Sequence, residues 1–574
     1  MNKYIISALI LSTALLTGCS LDENPKSEFG EEEAFNSSTL IYANSVANVY
    51  SSIANYMYGN STESIHTLEE FASDECVVPG RQHDWIDGGK WQNFFLHNFL
   101  SSVNMYDLVW NHTYTMIGQA NKSIDKLNSL KDNPNAANYV YELRALRAVF
   151  YYYLMDMWGQ VPLVTSSEVS ANDISQTNRS EIFKFITTEL EDCLPYLSDD
   201  KSQNEGTYYG RVTKAVAYMC LAKCAMNSPV YTIDATSVDS YKDFCGTDLT
   251  GMNTVNETQG EKITDMGKSI KITVDGQSRN AWETVIYCVN QLEKLGYQLQ
   301  PNYADNFAPT NQNSVENIFT RPNDDRTYKL NDYNLVRTMH YNHAKACNYT
   351  GWNGSCATLF TMRIYSYDTP NVDPRLKINF YTGTDYTEDT GILVSDGATD
   401  KNLEYEPLKV VLNFPEGADA HDVKCAGARM KKYKLDRSAT VIGEGNNDLV
   451  IWRYGDALLL KAEAEYRLGE KASALIDLNK IRSRVNAPVL SSITLNDIAN
   501  ERILELCWEG VRRMDAIRFG TFTQPTEDRY AGVPHATVAG DYVNDMKGYT
   551  TVFPIPYNEL NLNKNLKQNP GYSN

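Results

Sequence analysis

A surplus of positive charge, a high density of cysteine and a long apolar run are all missing from these 574 residues. Lys+Arg number 52 against 72 Asp+Glu, a formal charge of −20. Such a chain repels phosphate backbones, which argues against nucleic acid as a partner, because that binding needs clustered cations to displace counterions. Cysteines number 11, and with Cys19 set aside the other ten are too sparse for a disulfide scaffold. Cys220 and Cys224, four apart, suit a packed helix face, while Cys347 and Cys356 flank a Gly/Asn-rich loop and are the best candidates for a bridge. Beyond the first twenty residues no segment is long and apolar enough to span a bilayer. Gly-x-Ser-x-Gly, His-Glu-x-x-His and Walker-type loops are also absent, so the familiar catalytic motifs offer nothing.

What is present begins at the N-terminus. Lys3 precedes an uncharged, mostly apolar run from Ile5 to Leu16, and Leu16-Thr17-Gly18 leads directly into Cys19. A run this short, closed by small residues, reads as a signal peptide over 1–18. The cysteine at the cut predicts a bacterial lipoprotein acylated on Cys19. Each buried methylene contributes about 0.8 kcal/mol, so two or three chains give a durable anchor. Residues 19–35 are acidic, polar and interrupted by Pro25, a flexible tether to a body over 36–574.

The body is dominated by helical periodicity. Tyr139, Leu143, Leu146, Phe150, Tyr153 and Met157 alternate at spacings of four and three, with Gly159 and Pro162 ending the helix. Val212, Ala215, Met219, Ala222 and Met226 repeat the pattern, as do Ala281, Val285, Cys288, Leu292 and Leu295. Gly455–Leu468 and Lys471–Val485 form consecutive helices parted at Gly469-Glu470, a spacing similar to a tetratricopeptide unit. Between these helices, 227–280 and 298–449 are rich in Asn, Asp, Thr, Gly and Tyr. Loops so long are functional or disordered, and their aromatics argue for short strands and turns carrying a recognition surface.

The tryptophans sort by context. Trp110, Trp158, Trp282, Trp452 and Trp508 sit in helical apolar patterns and are assigned to the core. Trp85 and Trp91 lie in the polar stretch Pro79–Trp91, and Trp352 lies in Thr350–Cys356. With little apolar company these three are expected to be exposed, and an exposed indole is a face on which a pyranose stacks while neighbouring Asn, Asp and Arg bond its hydroxyls. His340, His343 and Cys347 could face a metal only on a helix, and their neighbourhood favours a loop, so neither metal nor cofactor is expected. Asp74-Glu75 could serve a hydrolase only if two carboxylates flanked a sugar ring, a geometry that spacing does not reveal.

A family likeness then emerges. Phe553-Pro554-Ile555-Pro556-Tyr557-Asn558-Glu559-Leu560 with Gln568-Asn569-Pro570-Gly571-Tyr572, Arg453-Tyr454-Gly455-Asp456-Ala457, Glu509-Gly510-Val511-Arg512-Arg513-Met514-Asp515, Trp158-Gly159-Gln160-Val161-Pro162 and Ser73-Asp74-Glu75 follow one another along nearly the whole mature chain. In this the chain resembles the SusD/RagB-type outer-membrane lipoproteins of the Bacteroidetes. The resemblance implies an all-α dominated fold of four tetratricopeptide-like helix pairs with a loop-rich half containing short strands, its N-terminal part about 36–226 and its C-terminal part about 281–574. It also implies a non-catalytic surface protein that captures a glycan for a SusC-like TonB-dependent transporter, with peptide capture as the alternative and a surface glycoside hydrolase a more distant one. The family's arc of binding aromatics would fall here on Trp91, Trp85 and Trp352, with Arg81, Asp74, Asn353 and Tyr328 or Tyr333 beside them. Glu509, Arg512, Arg513 and Asp515 are instead read as a structural ion-pair network.

Overall fold

The computed structural model describes residues 37–57, 63–130, 133–202, 206–245, 254–327, 333–439, 445–524, 526 and 547–573. The leader, Cys19, the tether and Tyr328 lie outside them. The scaffold is built from helix pairs in chain order: Asn104–Ser129 with Pro134–Trp158, Arg179–Cys193 with Lys214–Met226, Tyr454–Leu468 with Lys471–Arg484, and the shorter Leu495–Leu506 with Arg512–Arg518. Ala281–Lys294 lies between Lys214–Met226 and Tyr454–Leu468 and joins the two halves. The Pro134–Trp158 helix opens on proline, which loses no hydrogen bond at that position, and stops at Gly159 with φ +72°. From Ala145 to Trp158 it is buried on every face, because Asn104–Ser129 and Arg179–Cys193 both pack on it. Gly469, at φ +89°, supplies the left-handed turn that parts the two late helices. The five core-assigned tryptophans are all buried.

The stretch 227–280 departs from the expectation of strands and turns. It holds a thirteen-residue helix, Glu257–Ser269, capped by the Asn256 side chain, followed by the hairpin Lys271–Val274/Gln277–Asn280. The helix packs through glycines rather than a large apolar stripe. A Cβ on Gly267 would stand 2.1 Å from the Trp282 ring, and one on Gly260 2.6 Å from Leu495. In 298–449 short helices and short strands do alternate, and the described strands form five two-stranded sheets. One of these pairs Cys76–Val77 with Cys356–Ala357. The expected Cys347–Cys356 bridge is not formed. Cys356 is held in that strand against Gly427, Cys347 closes the Tyr341–Ala346 helix, and neither is part of a disulfide.

The C-terminal motifs form the ion-pair network the sequence suggested. Arg453 binds Glu316, Glu505 and Glu509, Lys432 also reaches Glu509, Arg502 joins Asp456 to Asp515, and Arg518 joins Asp515 to Glu463. Arg513 reaches Asp156 and Glu69, so the last helices are tied to the first. Pro554 and Pro556 hold an extended segment on the body. The Phe553 amide donates to the Met157 carbonyl at 2.7 Å and the Trp158 indole to the Pro554 carbonyl at 3.1 Å.

Candidate functional site

Two loops distant in sequence meet on the surface. The first is folded back at Arg81, whose amide donates to the Asp84 carbonyl at 2.9 Å and whose carbonyl accepts from the Asp84 amide at 3.2 Å. Gln82, Trp85, Asp87, Gly88 and Gly89 all have positive φ, and for a residue as bulky as Trp85, at +60°, that is a strained backbone held by its surroundings. The hold is visible: the Trp85 carbonyl accepts from Gln92 Nε2 at 3.0 Å, and its indole Nε1 donates to the Trp352 carbonyl at 2.9 Å. The second loop lies along the end of the Tyr333–Thr338 helix. The amides of Trp352, Asn353 and Gly354 donate to the carbonyls of Val336, Met339 and Arg337, each at 2.8 Å. Gly354 is required here, because a Cβ would stand 2.5 Å from the Trp85 ring.

Three indoles therefore form a ladder from core to solvent. Trp91 is 3% exposed and packs on Phe71 at 5.8 Å, Trp85 lies 6.1 Å from Trp91 and is half-buried, and Trp352 lies 6.4 Å from Trp85 and is 39% exposed. Ile86, His83, Asp84 and Asp87 are exposed beside them. Lys424 pairs with Asp84 at 3.3 Å and stands 5.6 Å from the Tyr341 ring.

The sequence singled out these two loops, but four of the side chains it named as ligand-facing are buried. Trp91 is core, because the Lys90–Phe95 helix turns it inward and its Nε1 donates to Asp87 Oδ2 at 2.9 Å. Arg81 is buried, donating to the carbonyls of Val423, Gly354 and Ala426. Asp74 is buried in a two-pronged pair with Arg512 at 2.7 and 2.9 Å. Asn353 is buried between Arg429 and the Lys424 carbonyl. Tyr333 begins its short helix, and its side chain is not among the described ones. Trp352 is exposed as expected, whereas Trp85 is only half exposed because Trp91 and Trp352 flank its ring. Tyr341, Ile86 and Lys424 were missed: Ile86 stood between two flagged tryptophans, whereas Lys424 carried no signal.

The Asp74-Glu75 pair cannot straddle a sugar ring. Both residues are buried, and burial with the neighbouring Glu70 carboxyl pushes Glu75 well above the usual carboxylate range. The histidines lie on and before a helix after all, Tyr341–Ala346, but His340 Nδ1 accepts from the Asn342 amide and His343 Nδ1 meets the Tyr405 hydroxyl at 3.0 Å. Burial holds both imidazoles near a pKa of about 3, hence neutral. Among the described residues no group of three or more His, Cys, Asp and Glu is arranged to hold a metal ion.

A helix-pair scaffold that lifts an aromatic ladder on irregular loops defines a recognisable class. Residues 315–572 match the family model described as the SusD family, and residues 21–226 match one described as starch-binding associating with outer membrane. The chain belongs to the SusD/RagB family. The starch-binding protein SusD of Bacteroides thetaiotaomicron is 23% identical over 467 residues, 75% of this chain and 72% of that relative. A SusD-like protein of Formosa agariphila is 23% identical with both chains covered in full. A laminarin-binding SusD-like protein shares the fold with TM-score 0.62 at 20% identity, over 93% of this chain and 99% of its own. The surface glycan-binding protein A of Bacteroides thetaiotaomicron, solved with laminarihexaose, does so with TM-score 0.63 at 19% identity, over 92% and 99%.

Proposed function

We propose that this protein is a lipid-anchored, surface-facing protein of the outer membrane that captures a glycan on the Trp352–Trp85 ladder and passes it, unhydrolysed, to a SusC-like TonB-dependent transporter. The observation that carries the reading is the exposed Trp352 indole backed by Trp85. The Trp85 N–H is already satisfied by backbone, so the ladder offers ring surface rather than an unpaired donor. A pyranose stacks on such a surface through its C–H face, while Asp84, Asp87 and Lys424 at the rim accept from and donate to its hydroxyls. The laminarin- and starch-binding relatives support a glycan as the ligand class, and the cysteine-terminated leader supports the anchor.

The test uses the soluble form lacking residues 1–19. Electrophoresis through gels containing β-glucan or starch should retard it, and incubation with the same polysaccharides should release no new reducing ends. Retardation lost in Trp352→Ala supports the site. No retardation by any glycan, with saturable heat on titration of oligopeptides, would replace this reading with peptide capture.

A further inference from the structure

Behind the ladder the core handles charge in an unusual way. Seven arginines are among its largest fully buried side chains: Arg81, Arg375, Arg429, Arg453, Arg502, Arg513 and Arg518. Five of them are matched by carboxylates: Arg375 by Asp373, Glu501 and Glu505, Arg453 by three glutamates, Arg502 by two aspartates, Arg513 by Asp156 and Glu69, Arg518 by Glu463 and Asp515. Arg81 and Arg429 have no carboxylate partner among the described residues, and they are neighbours. Both guanidiniums clasp the same two peptide segments. Arg81 donates to the carbonyls of Gly354, Val423 and Ala426, and Arg429 to Asn353 Oδ1 and the Lys424 carbonyl.

Their remaining donors are left over. Arg81 Nε, Arg429 Nε and Arg429 Nη1 are buried and meet no acceptor among the described residues. Burial and the adjacent Arg429 charge push Arg81 down to about 9, which still leaves it cationic at neutral pH. Two like charges buried side by side, hydrogen-bonded among the described residues to neutral oxygens alone, are costly unless a counter-charge joins them. The Tyr405 ring, 5.3 Å from the Arg429 guanidinium, provides no such charge, since burial pushes its hydroxyl pKa up beyond the physiological range.

We propose that a small monovalent anion of the halide class binds between Arg81 and Arg429, accepting from the N–H groups that the protein leaves without partners. A single charge suffices because five carbonyl and amide oxygens already take part of the cationic load. The site would also be structural for the ladder. The residues both arginines hold, Asn353 and Gly354, follow Trp352 directly, and Trp85 lies on Gly354.

The test is independent of whether the ligand is a glycan. Crystals of the soluble form grown in sodium bromide should show one bromine anomalous peak in contact with both guanidiniums. Thermal unfolding at constant ionic strength should rise in midpoint with the logarithm of chloride or bromide replacing gluconate, as mass action requires of a ligand bound only by the folded state. Arg429→Gln should abolish that dependence. If Arg429→Gln does not fold, the two wild-type measurements decide. Anomalous density absent from the site, with water or nothing between the arginines, overturns the proposal, and so does a midpoint indifferent to halide.

Discussion

The indole nitrogen of Trp85 donates to the carbonyl oxygen of Trp352 at 2.9 Å, across 267 residues of chain. This bond makes two polar loops into one surface. It fixes the Trp85 ring against Trp352 and orders a backbone position that a tryptophan would otherwise avoid. The ladder that results has a wet end and a dry end, and its members should respond to mutation in opposite ways.

Trp352→Ala should weaken glycan binding about tenfold or more, since hot-spot aromatics cost about 2 kcal/mol or more on truncation, and should leave the melting temperature nearly unchanged. Trp91→Ala, at the dry end, should cost about 3–5 kcal/mol of stability as a core truncation. Isothermal titration and urea unfolding on both variants check the contrast. A Trp352→Ala protein with intact affinity and a much lower melting point would reduce the exposed ring to a loop plug.

Gly354→Ala tests the geometry without removing any aromatic. The new Cβ would stand 2.5 Å from the Trp85 ring and 3.0 Å from the Arg337 carbonyl, so the ring or the loop must shift. Affinity should fall by an amount comparable to Trp352→Ala, with an altered tryptophan fluorescence spectrum in the folded state. Unchanged affinity and spectrum would show that Trp85 is not a part of the binding surface.

How far the sequence could be read depended on the kind of force each residue answers to. The stripes at Leu143, Leu146 and Phe150 and at Val285, Cys288 and Leu292 are local patterns, and the helices they predict are present with their ends within a few residues. Glu257–Ser269 escaped because its inward face is marked by Ile263 and Met266 alone and otherwise packs by close approach at Gly260 and Gly267, which leaves too short an apolar stripe to read. At the site, polar company matched the exposure of Trp352, half matched that of Trp85 and misled at Trp91, whose apolar neighbour Phe71 comes from another segment. Arg81, Asp74 and Asn353 looked like ligand groups because a buried polar residue and an exposed one are the same letters. Only their partners, Arg512, Arg429 and the 423–426 carbonyls, separate the two cases.

Arg512 and Asp74 offer a further test, since 438 residues of chain separate two buried charges joined by two hydrogen bonds. Removing one partner leaves the other charge buried alone, which costs about 3–5 kcal/mol. Asp74→Ala and Arg512→Ala should each lower the free energy of unfolding by that amount, and the double variant should lose clearly less than the two combined. Glycan affinity of the folded single variants should stay unchanged. Additive losses would show that the pair is not coupled, and a selective loss of affinity would return Asp74 to the binding surface.

Asp448 should give the protein a measurable pH signature near neutrality. Burial raises its pKa from 3.8 to about 6, against the opposing pull of the Asn323 amide, which donates to Oδ1 at 3.0 Å, and the Tyr209 hydroxyl, which donates at 2.7 Å. Below pH 4 the carboxyl is protonated in folded and unfolded chains alike, and its contribution is fully present. As pH rises towards 6 the unfolded chain releases the proton first, so folding stability falls, by on the order of 3 kcal/mol from this group, and then levels off. Asp448→Asn keeps an acceptor for the Asn323 amide and removes the titration. Unfolding free energies measured from pH 4 to pH 7 should therefore show the wild type losing ground to Asp448→Asn across that window and holding a constant difference above it. A difference between the two proteins that does not change with pH would mean that the carboxyl ionises in the folded chain as it does in water.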